Sequence, residues 1–374
     1  MAITTITITS TTMSSTSSTS CSSDSMMEDN IQRAEKIIHK WKIDSHSHST
    51  FVSIFHKNNA TEATLFLNSV STLQRAMHLL SSNDKKSSNL SIAQRSMQIA
   101  MKRLEKEFHQ LLLDYNHNRQ HLISISNLRL IAETMIHCGY AKECITVYKI
   151  TRKSTIEEAL SHLGIQQYKH SHIKKMITAS DLQNHVKIWL NAFQIAIKTV
   201  FREEKFLCDH VFSSYPAIRN LCFTNSTKEG ALNLFTFPDL VIAICKRLKS
   251  DTLFVKMDLY NSISDQWPEI DSLFSHESIS SVKLQAESCL HELVDSVRAF
   301  LTELESSIQK NLCKMKKSIA NNLVPAYEEF YVKHLVMLSE DERCVKMLVR
   351  LSPENMAKYL SELFPGTSAD LRRS

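Results

Sequence analysis

The chain has 374 residues and a formal net charge of +5, from 44 basic and 39 acidic side chains. Its 4 glycines and 6 prolines fall far below average usage, so tight turns are scarce and long helices are favoured over sheets. It contains no run of about eighteen apolar residues, so no transmembrane helix is expected. The 9 cysteines include no C-x-x-C pair, and we interpret them as free thiols in a reducing cytosol.

The N-terminal segment, residues 1–26, consists mostly of Ser and Thr. Such a segment cannot bury enough apolar surface to order itself, so we predict a disordered tail. It has neither the basic start and apolar core of a signal peptide nor the arginines of a transit peptide.

Residues 27–125 have the pattern of amphipathic helices. Apolar stripes at helical spacing predict one helix over Met27–Trp41, a second over Thr61–Leu80 and a third over Leu90–Leu113. Polar stretches separate the three, so this region is predicted to be an N-terminal helical domain.

A central region, residues 126–309, begins with three short predicted helices between Leu128 and Gly164. Gly139 follows the first apolar stripe, where a left-handed C-cap residue is expected. Ser154 and Glu157 have the spacing of a capping box that would start the third helix. Glu157 and Glu158 are then first-turn acids that offset the helix macrodipole.

The rest of the central region is also predicted to be helical. The stretch Asp181–Phe212 is interpreted as one long amphipathic helix. Three prolines, at 216, 238 and 268, are expected near helix starts or breaks, where proline is tolerated.

A long combination of residues in the central stretch is specific as a set: Leu128, Arg129, Ile131, Ala132, Met135, Ile136, Gly139, Tyr140, Glu143, Cys144, Val147, Tyr148, Arg152, Lys153, Ser154, Glu158, Leu160, Leu163 and Gly164. This combination resembles the signature of the Exo-seventy family of plant exocyst subunits, and similarity continues around Trp189, Leu207 and Trp267. The resemblance implies a rod of stacked helical bundles that works with other exocyst subunits to tether secretory vesicles to the plasma membrane.

The resemblance changes abruptly between about residues 309 and 312. Up to Gln309 the chain resembles the middle of the family, and from Leu312 it resembles the extreme C-terminus, so a block of helices that separates them in the family is missing. A truncated paralogue, a splice product and a faulty gene model all remain open. Apolar residues keep their helical phase across the join without Gly or Pro, so we predict one continuous helix over Ser281–Asn322. A short final helix is predicted to start at Ser352.

Basic residues follow the join, in a region, 310–374, interpreted as a residual lipid-binding end. The candidate lipid-binding residues are Lys310, Lys314, Lys316, Lys317, Lys333 and Lys346. At about 100° per residue, Lys310, Lys314 and Lys317 share one helix face. An ordinary solvated face is the alternative, whereas the resemblance implies phosphoinositide binding. Three lysines contribute only about 3 kcal/mol near an anionic leaflet, so further contacts or attachment to a multivalent complex would be required.

Other chemistries are poorly supported. The histidine pairs His46/His48, His170/His172 and His117/His121 lack a third zinc ligand at suitable spacing. Phosphate-binding glycine loops and nucleic-acid motifs are absent. We therefore expect no cofactor, no metal site, no catalytic residues and no nucleic-acid partner.

These observations lead to one interpretation and one alternative. The interpretation is an all-α, elongated array of stacked helical bundles that serves as a non-enzymatic tethering subunit in exocytosis, cytoplasmic and peripherally associated with the plasma membrane. The alternative is a truncated scaffold or decoy that binds the same partners without tethering membranes.

Overall fold

A computed structural model describes residues 18–43, 52–56, 59–83, 88–115, 121–165, 179–248 and 252–318. None of these residues lies in a strand, and the predicted all-α fold built from helical bundles is confirmed. The chain divides into two compact units between Thr151 and Arg152. The domain boundaries proposed from the sequence at residues 126 and 310 remain predictions.

The first unit is built from five helices: α1 (Ser18–Lys40), α2 (Ala60–Asn83), α3 (Ser88–Asp114), α4 (His121–His137) and the first part of α5 (Ala141–His162). Helices α1, α2 and α3 pack against one another, and α4 packs on α3. Their predicted stripes form the core, with Ile31 and Ile38 of α1, Phe66 of α2 and Leu104 and Phe108 of α3 fully buried.

Helix α1 begins at Ser18, so the segment from Ser18 to Met26, placed in the tail on composition, is helical. Extending a helix that is already anchored fixes one residue per added hydrogen bond, which costs far less than nucleating a new one. The buried stripe from Ile31 to Ile38 supplies that anchor. Residues 1–17 lie outside the described part of the chain.

A buried carboxylate holds the turn at 52–56 between α1 and α2. Glu107 on α3 accepts hydrogen bonds from the Ile54 amide (2.8 Å) and the Ser53 hydroxyl (2.6 Å). Arg103, one turn earlier, pairs with Glu107 at 2.6 Å and also donates to the Val52 carbonyl. A loop without regular hydrogen bonds is thereby fixed by one charged pair.

Helix α4 ends at Gly139 as predicted. Gly139 has φ of +89°, the Tyr140 amide donates to the Met135 carbonyl at 2.9 Å, and the Gly139 amide donates to the Ile136 carbonyl at 3.1 Å. These two bonds define a Schellman cap. Gly164, with φ of +81°, ends α5 with the same pattern of bonds.

Helix α5 corrects one prediction, because it runs unbroken from Ala141 to His162. Ser154 does not start a third helix: it lies exposed in the middle of α5. Serine and glutamate three residues apart also occur inside helices, and no Gly or Pro interrupts this one. Glu157 and Glu158 are therefore not first-turn acids. They lie within 3.7 Å of Lys153 and His162, one turn away in each case.

The second unit contains the end of α5 and the following helices: α6 (Ala179–Ile195), a π segment (Ala196–Phe201), α7 (Arg202–Val211), α8 (Pro216–Leu248), α9 (Leu253–Asp265), α10 (Trp267–Leu273), a 3-10 turn (Glu277–Ile279) and α11 (Ser280–Ser318). The helix predicted over 181–212 is confirmed up to Val211, with the π segment inside it. Pro216 and Pro268 lie at helix starts as expected.

Pro238 departs from the prediction, because it lies inside α8. Proline has no amide hydrogen, so the Leu234 carbonyl, four residues earlier, loses its helical donor. The indole Nε1 of Trp189 donates to that carbonyl at 3.1 Å. Trp189 is almost fully buried and stacks on Phe193, with ring centroids 4.6 Å apart. A tertiary hydrogen bond from α6 therefore replaces the one that the proline removes.

Candidate functional site

The N-terminal half of α11, up to Val297, is anchored in the core of the second unit. Every third or fourth residue in this half is fully buried, namely Val282, Ala286, Cys289, Leu293 and Val297. The stripe packs α11 against α8 and α9. The N-terminal half therefore fixes the position of the helix, which continues into the C-terminal half.

Polar side-chain contacts also hold the N-terminal half of α11 in place. The Cys289 thiol donates to Asp239 Oδ1 at 3.0 Å, and the Gln285 amide donates to Asp239 Oδ2 at 2.8 Å. Burial raises the pKa of the Asp239 carboxyl, and these donors oppose that change. Lys283 pairs with Asp271 at 2.5 Å. These bonds set the rotation of α11 about its axis.

The backbone of α11 continues without a break to Ser318. The continuous helix predicted across the join at 309–312 is confirmed over this range. From Val297 to Ser318 the helix extends about 30 Å at ~1.5 Å per residue. Residues 319–322, at the end of the predicted helix, lie outside the described part.

The candidate lipid-binding lysines fall into two groups. Lys310, Lys314, Lys316 and Lys317 lie on the distal turns of α11, where the backbone is described and the side chains are not. An unbroken helix puts Lys310, Lys314 and Lys317 at positions that share one face. Lys333 and Lys346 lie outside the described residues, as does the predicted final helix from Ser352.

A buried ion pair organises the segment that carries the sequence signature. Arg152 Nε on α5 lies 2.8 Å from Glu204 Oε2 on α7, and the two side chains are 5% and 0% exposed. The Ser226 hydroxyl of α8 donates to the other carboxylate oxygen at 3.0 Å. Three helices thus meet at one carboxylate. Arg152 belongs to the signature, and this contact is a physical reason for an arginine there.

Sequence reasoning missed Glu204 and Glu107, although a signal for both was present. Glu204 occupies a position of the apolar stripe that includes Phe201, Leu207 and Cys208, and Glu107 lies between the buried Leu104 and Phe108. A carboxylate on the buried face of a helix requires a partner. The partner itself could not be identified, because it lies on another element.

Helices α5 and α8 also approach each other closely at Gly230. A Cβ added to Gly230 of α8 would lie 2.8 Å from Leu160 Cδ1 of α5. Lys153 also reaches Glu229 at 2.5 Å. The glycine therefore leaves room for the Leu160 side chain where α5 and α8 pack together.

The described residues offer little for other chemistry. No three His, Cys, Asp or Glu side chains among them are grouped so that they could hold a metal ion. The histidines singled out from the sequence lie outside the described residues, except that His121 begins α4.

Burial raises the pKa of the Cys144 thiol to about 12 and that of Cys138 to about 11, which disfavours the reactive thiolate. Among the described helices, none is long and apolar enough to cross a bilayer.

The fold and the site define a protein of helical bundles whose last described helix ends in a basic segment. Two models of the Exo70 exocyst complex component match this chain, the N-terminal model over residues 30–114 and the C-terminal model over residues 187–315. Together they cover more than half of the chain. The chain therefore belongs to the Exo70 family. The C-terminal match ends within the lysine cluster, between Lys314 and Lys316.

Curated relatives from Arabidopsis thaliana agree with this assignment. Exocyst complex component EXO70B1 is 30% identical over 183 residues, and EXO70B2 is 31% identical over 184 residues. Each alignment covers 49% of this chain, but only 29% and 30% of the respective relative. The match thus spans less than a third of these relatives.

A solved structure of S. cerevisiae Exo70 has a similar fold. Its TM-score is 0.56 at 12% identity, and the alignment covers 90% of this chain and 55% of the yeast chain. At this identity the likeness concerns the fold alone.

Proposed function

We propose that this protein is a non-enzymatic exocyst subunit that helps tether secretory vesicles to the plasma membrane. Its helix faces dock other exocyst subunits. The basic distal turns of α11 bind phosphoinositide on the cytoplasmic leaflet, which makes the protein a peripheral membrane component. Family membership supports the subunit role, since the named relatives are exocyst complex components.

The observation that carries the membrane role is the continuity of α11. An unbroken helix holds Lys310, Lys314 and Lys317 in one register, anchored to the core through Val282 to Val297. A break at the join would have left the lysines without a fixed relation to the rest of the protein. Three lysines give about 3 kcal/mol of attraction to an anionic leaflet, so a further contact must contribute to stable binding.

Sedimentation with phosphoinositide-containing vesicles tests this proposal. The variant Lys310→Glu/Lys314→Glu/Lys317→Glu should lose binding while its far-UV circular dichroism stays unchanged. The matched control is Lys187→Glu/Lys198→Glu/Arg202→Glu, which changes the net charge equally at exposed positions of α6, the π segment and α7. Parental binding by the first variant would remove these lysines from the mechanism.

A second candidate function is a scaffold or decoy that binds partners without tethering membranes. The observation favouring it is the short coverage of the relatives, 29% and 30%. The same assay separates the two candidates. A chain that binds an exocyst subunit but does not sediment with vesicles would be a scaffold.

A further inference from the structure

The solvent face of α3 carries basic side chains from Arg95 to Lys106. Its exposed residues are Ser88, Ser91, Gln94, Arg95, Gln98, Lys102, Lys106, His109 and Leu113. No acid is among them, because Glu107 is buried in the pair with Arg103, and Glu105 and Asp114 are half-buried. With a repeat of 3.6 residues per turn, Arg95, Lys102, Lys106 and His109 fall in one strip along the helix.

The first three turns of α5 lie beside this strip. His109 Nδ1 lies 2.8 Å from Thr151 Oγ1, and the rings of Phe108 and Tyr148 lie 6.4 Å apart. Helix α5 adds two exposed lysines, Lys142 and Lys149, and one exposed acid, Glu143. Burial and, secondarily, the Glu143 carboxylate raise the pKa of Glu105, and the nearby Lys102 opposes this change.

The same imbalance holds for the described surface of the first unit as a whole. Its exposed Lys and Arg residues are Arg33, Lys36, Lys40, Lys42, Arg75, Arg95, Lys102, Lys106, Arg129, Lys142 and Lys149, against the exposed acids Glu28, Asp29 and Glu143. The described surface of the second unit, up to Ala299, is the reverse. Its exposed acids are Glu157, Glu158, Asp181, Glu203, Glu229, Asp265, Asp271, Glu277, Glu292 and Asp295, against the bases Lys187, Lys198, Arg202 and Arg298. The first unit as a whole, residues 1–151, has 16 Lys and Arg against 12 Asp and Glu, so its excess of bases is modest and is concentrated among its most exposed side chains.

The chemistry of the α3 strip indicates what it binds. Protein interfaces draw most of their affinity from buried aromatic or aliphatic anchors, and no apolar side chain is exposed on α3 between Ser88 and His109. Single-stranded nucleic acid is bound largely through aromatic side chains that stack on the bases, and the strip has none. A row of lysine and arginine without apolar anchors suits the headgroups of an anionic bilayer, which bind through charge alone.

We infer that the α3 strip, defined by Arg95, Lys102 and Lys106, is a second contact with anionic lipid, in addition to the distal turns of α11. This inference rests on the proposed function, because it supplies the further contact that three C-terminal lysines require. Each basic residue near an anionic surface strengthens partitioning about fivefold, so the strip contributes roughly a hundredfold. Binding through it weakens steeply with salt.

Vesicle sedimentation of the full chain tests the inference. The variant Arg95→Glu/Lys102→Glu/Lys106→Glu should partition about a hundredfold less onto phosphatidylcholine vesicles containing phosphatidylserine and phosphoinositide. The control Lys187→Glu/Lys198→Glu/Arg202→Glu replaces one arginine and two lysines as well, and should bind as the parent does. The milder variant Arg95→Gln/Lys102→Gln/Lys106→Gln removes the same three positive charges without adding acids and should also lose about a hundredfold. It covers the case in which charge reversal disturbs folding.

The outcomes separate this inference from the proposed function. If the α3 variants bind as tightly as the parent, the second contact is refuted and the basic strip serves another acidic partner. If only the α3 variants lose binding, the α11 lysines are refuted and the strip stands. A parent chain that does not bind anionic vesicles would overturn both.

Discussion

Removing Arg152 tests whether the pair with Glu204 holds the second unit together. In Arg152→Met the Glu204 carboxylate, 0% exposed, would lose its charged partner and keep weaker donors such as the Ser226 hydroxyl at 3.0 Å. Breaking a buried pair by removing one partner costs about 3–5 kcal/mol, because the remaining charge is neither solvated nor compensated. We expect a loss of that size in the free energy of unfolding.

Two controls isolate the cause of that loss. The double variant Arg152→Met/Glu204→Gln has no buried charge and should regain much of the stability. The exposed pair of Arg129 and Glu133 has a nearly equal separation, 2.9 Å, with side chains 49% and 31% exposed. Arg129→Met should therefore cost no more than about 0.5 kcal/mol.

Urea unfolding is the appropriate assay, with circular dichroism for total helix and tryptophan fluorescence for local packing. The second unit contains Trp189 and Trp267, whereas the first contains Trp41, so separate transitions of the two units would appear as non-coincident curves. Equal losses in Arg152→Met and Arg129→Met would refute the reasoning. A double variant as unstable as the single one would show that the guanidinium matters through packing rather than charge.

Two further predictions follow from the backbone. Gly139→Val should cost about 1–2 kcal/mol, because φ is +89° there while nothing lies within 4 Å of an added Cβ. Gly139→Asn should cost less, and equal thermal stabilities of the Val variant and the parent would contradict the cap. Trp189→Phe should cost about 1–3 kcal/mol by leaving the Leu234 carbonyl without a donor. That cost should shrink in a Pro238→Ala background, which restores the helical amide, and an undiminished cost would contradict the proposed exchange of donors.

Local patterns in the sequence were sufficient for most of the helices of the first unit. The stripes of α1 and α3 have the predicted spacing and are mostly buried, and α2 spans the range predicted for it. The cap at Gly139 and the continuity of α11 were also predicted, because both depend on neighbouring residues in the chain. Helix continuity requires only that apolar phase be kept and that Gly and Pro be absent.

Predictions failed where a local signal is compatible with two structures, or where a distant contact overrides it. The serine and glutamate pattern at Ser154 suggested a new helix, but the same spacing also occurs inside helices, and α5 continues through it without a Gly or Pro. Pro238 suggested a break, but α8 continues because Trp189 supplies the missing donor. For Pro238 the stabilising partner lies on another helix, so its effect could not be predicted from the neighbouring residues.

The distribution of charge over the surface is another property that could not be predicted from the sequence alone. A net charge of +5 on 374 residues suggests no strong preference for an anionic surface. Folding buries Glu107 with Arg103 and Glu204 with Arg152 as neutral pairs, which leaves the net charge of the surface unchanged. It also turns the remaining bases and acids of α3 to different faces, so that the solvent face of α3 has no fully exposed acid. Charge that is evenly mixed along the chain therefore becomes unevenly distributed over its surface, and it is the surface that a bilayer meets.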